Sequence, residues 1–366
     1  LIRARARTGI KADRLARNKT TARQARMRKV GVVGLGLIGG SIASALKANG
    51  FYVVGVESDP AALSYALLNG IIDSQASIGS LYGCESVFVC VPVSAVRKTV
   101  EETVSAVGPD TVVTDVASVK GILSGVKGRI VGGHPMAGTE KSGIAAARAH
   151  LFENAYYAVV RYEDTSDEDV EYLTGLVKMF KAKPVVMTAA QHDARASKVS
   201  HLTHMAAYAL AGYALKEDGF TGTGFMDTTR IAASGADFWT DVAFLNRENL
   251  LKDMDGFAEE FGRLRAAVAG GDRQGLYALL DDARRKREAL TQKRVYLSEY
   301  TLDLDVKDEV GAISRVSRLL ADNGINISGI QIIDSREGIG GALRIAVKAE
   351  VDYVRAVRLL GVDDKR

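Results

Sequence analysis

Apolar residues follow three different rhythms along this chain. From Lys29 to Val131, short apolar runs alternate with segments of helical spacing. Lys29–Val33 and Tyr52–Val56 are predicted as buried strands, and the helix over Ser41–Ala48 between them stops at Asn49-Gly50. Further runs at Ser86–Val91, Thr111–Asp115 and Arg129–Val131 continue the series. Short, wholly apolar strands alternating with helices imply a parallel sheet covered on both faces. Tyr157–Arg161 and Pro184–Met187 read as late strands that close this part. From Ala189 to Arg294 the strand signal disappears. Ala194–Leu215, Phe238–Val268 and Gly275–Lys293 carry apolar residues at three-and-four spacing, which predicts packed helices. From Tyr296 the pattern changes again. Strand Tyr300–Val306, helix Val310–Ala321, strands Ile325–Ile333 and Ala342–Ala349 and helix Val351–Leu360 make a βαββα module. That is one strand short of a ferredoxin-like unit, with Gly361–Arg366 left as a rudimentary last strand or none. The expected fold class is therefore α/β in three parts: a Rossmann-like domain over 29–163, a helical domain over 164–295 and a ferredoxin-like module over 296–366.

Length and charge refine this picture. A chain of 366 residues with 47% hydrophobic and 25% charged residues can bury its cores without staples. Two cysteines, Cys84 and Cys90, make no disulfide framework and suit a reducing compartment, so a cytoplasmic protein is expected. No run of about 18 uncharged apolar residues is present, so no membrane span is expected. The net charge of +4 is uneven: residues 1–29 hold eleven basic side chains against Asp13, which leaves the body at −6. Nucleic acid is accordingly not an expected partner. The basic tail over 1–28 is read as disordered or as not native to the working protein, since it begins with Leu and Met27 stands just before the first strand. A solvated tail, an anionic-surface tail and a transit segment are the alternatives.

Gly34, Gly36 and Gly39 form a GxGxxG turn directly after a strand and at the start of a helix, the context that dinucleotide binding requires. Gly34 permits the turn, Gly36 lets a pyrophosphate approach the backbone, and Gly39 lets helix and strand pack closely. Leu37 and Ile38 within the turn, and Val91-Pro92 after a later strand, are assigned to the same cofactor. Glu57 at the end of the second strand suits ribose hydroxyls and would repel a 2′-phosphate, so NAD is expected. The stretch Gly132–Glu140 follows the predicted strand Arg129–Val131 and so lies at the carboxyl edge of the sheet, where open α/β folds bind ligands. There His134, between a Gly pair and Pro135, is a candidate catalyst, and Ser118 reaches the same edge. His201 and His204 share a helix face, but HxxH without a further ligand is poor evidence for metal, and none is expected. Arg230 has apolar neighbours that predict partial burial, with Asp227 or a substrate acid as its partner.

Together these stretches resemble the prephenate dehydrogenase family, including its arogenate-using relatives. The resemblance rests on GLGLIGGS, TDVASVK, GGHPMAGTEKSG, VSHLTH, DTTRIA and the Trp239 region, across roughly residues 29–241. It implies NAD-dependent oxidative decarboxylation of prephenate to 4-hydroxyphenylpyruvate. His134 would take the ring-hydroxyl proton, and Ser118 would hold that hydroxyl and the His134 ring. Arg230 would bind a carboxylate, and His204 with His201 would recognise the side-chain acid. Thr139, Glu140, Trp239 and Asp227 would complete the substrate site. The C-terminal module resembles an ACT domain, which implies an amino-acid effector, tyrosine, near Asp308, Gly311 and Asn326. A homodimer through the helical domain is also implied. Two departures stand out: Met226 replaces a basic or polar residue of some relatives, and Val310 replaces the usual Pro. Arogenate as substrate, another dehydrogenase of the helical-domain type, and a non-enzymatic amino-acid sensor are the alternatives.

Overall fold

The computed structural model describes residues 28–138, 141–215, 221–295, 300–306, 309–333 and 341–362. The basic tail, Thr139, Glu140 and Asp308 lie outside the described residues. The chain divides into two compact units at Ala258.

The first unit is built on β1 (Lys29–Val33), β2 (Tyr52–Val56), β3 (Ser74–Gln75), β4 (Ser86–Val89) and β5 (Val112–Asp115). These strands pair in parallel in the order β3-β2-β1-β4-β5. The order reverses between β1 and β4, which opens a crevice beyond their carboxyl ends. Val30, Val32, Val87, Phe88 and Val89 are wholly buried because both faces are covered. Helices α1 (Leu37–Ala48), α2 (Pro60–Leu68) and α3 (Val93–Ala106) make the crossovers. On α3 the buried positions are Val93, Val96, Val100 and Thr103, one stripe at helical period. Asp59 caps α2 by accepting the Ala61 N–H, with Pro60 just behind it.

A second sheet contains β6 (Gly132–Pro135), β7 (Tyr156–Arg161) and β8 (Lys183–Thr188), with α4 (Asp167–Met179) between the last two. β6 runs antiparallel to β7, and β7 parallel to β8. A bridge from Val113 to Ile130 ties the start of this sheet to β5. His134 therefore sits within a strand, opposite Ala158, rather than in a loop after the expected strand Arg129–Val131. Tertiary contacts explain the Gly pair before it. A Cβ on Gly133 would stand 2.7 Å from the Asp115 carbonyl oxygen and 2.8 Å from the Tyr157 hydroxyl.

Helices follow: α5 (Ala189–Ala196), a π-helical turn (Ser197–His201), α6 (Leu202–Ala214), α7 (Thr223–Thr229), α8 (Ala236–Leu245) and α9 (Arg247–Ala269). Thr188 and Gln191 form a capping box that starts α5. The helical run over Phe238–Val268 is broken at Asn246, whose amide is drawn to the Asp193 carbonyl at 2.8 Å. Leu251, Met254 and Phe257 on α9 are solvent-exposed. Among the described residues, no helix is long and apolar enough to cross a membrane.

The second unit holds α10 (Arg273–Val295) and the module β9 (Tyr300–Val306), α11 (Ala312–Asp322), β10 (Ile327–Ile333), β11 (Gly341–Val347) and α12 (Glu350–Leu360). The sheet is antiparallel in the order β10-β11-β9, over a core of Leu302, Leu320, Ile325, Leu343 and Ile345. Gly311 opens α11 with φ of 87°, a left-handed conformation that costs glycine little. Residues 363–366 lie outside the described residues, so the expected last strand is largely beyond them.

Candidate active site

The turn from β1 to α1 makes the floor of the crevice. Gly34 has φ of 88°, and a Cβ there would meet the Cys90 carbonyl oxygen at 2.5 Å. A Cβ on Gly39 would fall 1.9 Å from the Gly34 oxygen, so this glycine seats α1 against the turn. Gly36 is different: a Cβ there meets nothing within 4 Å, because it faces the open crevice. Gly36 also precedes α1 with no side-chain cap, which leaves backbone N–H groups and the positive helix end for an anion. Glu57 closes the far side. Its carboxylate accepts the Leu35 N–H at 2.7 Å, the Ser58 N–H at 2.7 Å and the Asp59 N–H at 2.9 Å. Burial alone would raise its pKa, but these donors together hold it below the ordinary carboxylate value. An open glycine, an uncapped helix start and an ionised acid fit the phosphates and ribose of NAD. Leu37, Ile38, Val91 and Pro92 line the same crevice.

This crevice has a volume of about 1100 Å³, at the upper end of ligand clefts. His134, Ser118, Arg230, His204 and Trp239 line it together with the glycine turn. His134 is only 8% exposed. Its Nδ1 lies 2.8 Å from Nε2 of His192, so Nε2 is the ring nitrogen left for the crevice. Burial, then the nearby His192, Lys120 and His201, push its pKa well below 6.5. Ser118 makes no hydrogen bond to the His134 ring among the described residues, and His192 is the partner the ring has.

The helical wall places the other candidates. His204 stacks on Trp239 with ring centres 3.5 Å apart, and its Nδ1 lies 2.9 Å from the Ser200 carbonyl oxygen. His201 is wholly buried behind the wall and does not line the crevice. It meets Trp239 edge-on, and its Nδ1 lies 3.2 Å from the Asn246 amide nitrogen. Burial lowers its pKa to about 4. His201 and His204 are three residues apart, roughly 60° around the helix, so that His201 turns inward and His204 stays on the crevice. Arg230 is exposed at the rim, contrary to the burial its apolar neighbours predict, because the short turn Arg230–Ala233 is itself partly open. Asp227 is exposed on α7 and does not line the crevice.

Sequence reasoning missed a buried polar layer behind His134. His192 Nδ1 lies 2.7 Å from Oδ1 of Asp193. Asp193 also accepts the Lys120 N–H and the Gly121 N–H, each at 2.7 Å. Lys120 is wholly buried; its Nζ donates to Oδ2 of Asp115 at 2.5 Å and to the Gly133 carbonyl oxygen. Burial lowers its pKa, opposed by Asp115 and Asp193. Gln191-His-Asp193 is a short polar run at the start of a helix with no motif spacing, so periodicity alone conceals it.

Comparison with known proteins places this architecture. Residues 42–186 match a family model described as prephenate dehydrogenase, nucleotide-binding domain. Residues 188–282 match the dimerization domain of the same family, and residues 300–361 match the ACT domain. The chain is 35% identical over 347 residues to a prephenate dehydrogenase of Bacillus subtilis, covering 89% of this chain and 93% of that one. Among solved structures it resembles the prephenate dehydrogenase of A. aeolicus in complex with hydroxyphenyl propionate and NAD+. That likeness has a TM-score of 0.66 and 28% identity, covering 72% of this chain and 98% of the other. It resembles the arogenate dehydrogenase of Synechocystis with a TM-score of 0.65 and 29% identity, covering 72% and 99% of the two chains.

Proposed function

The chain belongs to the prephenate dehydrogenase family, and on that premise we propose that it converts prephenate to 4-hydroxyphenylpyruvate with loss of CO2. It is an NAD-dependent oxidoreductase, and NAD supplies the hydride acceptor. The observation that carries the reading is His134: it lines the same crevice as the glycine turn, with Nδ1 engaged and Nε2 left for the crevice. That nitrogen takes the proton of the ring hydroxyl as the carbon beneath is oxidised. A base held neutral by burial is ready at neutral pH, and a placed base contributes roughly 10²–10⁴-fold. Ser118 lines the same space and orients the hydroxyl. Arg230 at the rim meets one substrate carboxylate and His204 meets the side-chain end, with Trp239 fixing the His204 ring. Once the ring carbon is a ketone, aromatisation drives the carboxylate out as CO2. Thr139 and Glu140 complete our proposed substrate site.

Arogenate is the second reading, and one observation favours it. His204 donates from Nδ1 to the Ser200 carbonyl, so its neutral Nε2 is an acceptor. An acceptor suits the ammonium of arogenate, whereas a carboxylate there requires protonation of His204. Steady-state NADH formation with each substrate decides: prephenate turnover well below arogenate turnover would overturn our choice.

The dimerization-domain match and the exposed apolar residues of α9 support a homodimer. The ACT match, with Gly311 and Asn326 at the ends of α11 and β10, supports an amino-acid effector, for which we propose tyrosine. Loss of NADH formation on adding tyrosine tests it. Free thiols at Cys84 and Cys90 support a cytoplasmic setting.

A further inference from the structure

The buried groups behind His134 form a directed chain. Asp193 receives a backbone N–H on each of its two oxygens, which holds the carboxylate in place as an acceptor. The nitrogen facing it, His192 Nδ1, must then be the donor. A neutral His192 is left with a bare lone pair on Nε2. His134 Nδ1, 2.8 Å away, must donate to that lone pair. A neutral His134 with its hydrogen on Nδ1 has its lone pair on Nε2, the atom left for the crevice. The direction of every bond follows from the first, and it starts at two backbone amides.

We propose that His192 is a positioning residue which, together with Asp193, fixes the tautomer of His134. This deepens the functional reading above and rests on it. When the substrate hydroxyl loses its proton, the O–H bond breaks and an N–H bond forms at His134 Nε2. The imidazolium so formed keeps its Nδ1–H on His192, whose own Nδ1–H stays on the Asp193 carboxylate. The proton leaves to solvent from Nε2 once product has gone. Lys120 faces the same layer, but its charge is matched by Asp115, so Asp193 remains for the histidines. The titratable groups acting on the two rings are Lys120, His201, Asp115 and Asp193, with Tyr162 near Asp193.

Among the described residues, the His192 ring hydrogen-bonds only His134 and Asp193. His192 is 2% exposed and does not line the crevice, so it touches neither ligand. The sequence separation of 58 residues between the two rings explains why the pair is invisible along the chain.

Two measurements test this. In the uncomplexed wild-type protein, side-chain ¹⁵N NMR over its five histidines reports each tautomer without any variant. His134 should show a protonated Nδ1 and a bare Nε2 at neutral pH. Steady-state kinetics of His192→Phe and His192→Gln supply the second. The phenyl ring removes the acceptor, and kcat should fall by roughly 10²–10⁴-fold, as for a histidine held in the wrong tautomer. KM and NAD affinity should stay within about threefold, and the acid limb of the kcat profile should move. The amide oxygen of Gln restores an acceptor and should recover at least tenfold of the loss. A His134 protonated on Nε2, or a His192→Phe enzyme within tenfold of wild-type kcat, would overturn the proposal. Wild-type protein inactive on prephenate and arogenate alike would defeat the functional reading instead, while the tautomer result would still decide this one.

Discussion

Gly36→Ala and Gly39→Ala add the same methyl group three residues apart, and the structure predicts opposite consequences. At Gly36 the new Cβ meets no protein atom within 4 Å, and the backbone is extended at φ −74°. Alanine is a poorer N-cap than glycine by roughly 0.5–1 kcal/mol, while the unfolded chain loses entropy worth about 0.4–1 kcal/mol. These nearly cancel, so the melting temperature without cofactor should move by no more than about 2 °C. The methyl instead occupies the space through which the pyrophosphate reaches the helix end. Overpacking of that kind costs about 1–3 kcal/mol, or roughly 5- to 150-fold in NAD affinity. At Gly39 the Cβ would lie 1.9 Å from the Gly34 oxygen, a backbone atom that no rotamer change can move. Helix α1 must shift from the turn, and stability should fall by more than about 3 kcal/mol. Thermal unfolding without nucleotide, paired with calorimetric titration of NAD, separates the two. A Gly36→Ala protein that melts early without cofactor, or that binds NAD like wild type, would refute the reasoning.

Four further outcomes are expected. Arg230→Gln removes a charge-assisted contact worth about 1.5–3 kcal/mol, so KM for the dianionic substrate should rise roughly 10- to 150-fold with a smaller change in kcat. Because burial holds His134 well below pH 6.5, the base stays unprotonated through mild acid, and the acid limb of kcat should appear well under pH 6.5. His201, at about 4 in the fold against about 6.5 unfolded, contributes stability that is complete above pH 6.5. That contribution should be lost as pH falls through 4, by about 3 kcal/mol at most, and denaturant titrations of wild type and His201→Gln across this window should differ accordingly. Lys120→Met strands the buried Asp115 and should cost about 3–5 kcal/mol by urea unfolding, with Asp115→Asn added to it restoring part of the loss.

The sequence determined those features whose cause is local. A glycine turn between a strand and a helix, an acid ending the next strand, and the change from strand to helix to βαββα texture all follow from nearest neighbours along the chain. Backbone geometry and side-chain period act over a few residues, so they are legible there. His134, Ser118, Arg230, His204 and Trp239 could be picked from their motifs, and the fold gathers them around one crevice. Tertiary structure decided the rest. It placed His134 in a strand rather than a loop, because Gly133 must clear Asp115 and Tyr157. It left Arg230 exposed, and it buried His201 while His204 reached the cleft. Above all it joined Lys120, His134 and Asp193 from distant segments into one polar layer. Burial and the direction of hydrogen bonds exist only after the chain has closed on itself, and those two properties set which nitrogen of His134 is free to act.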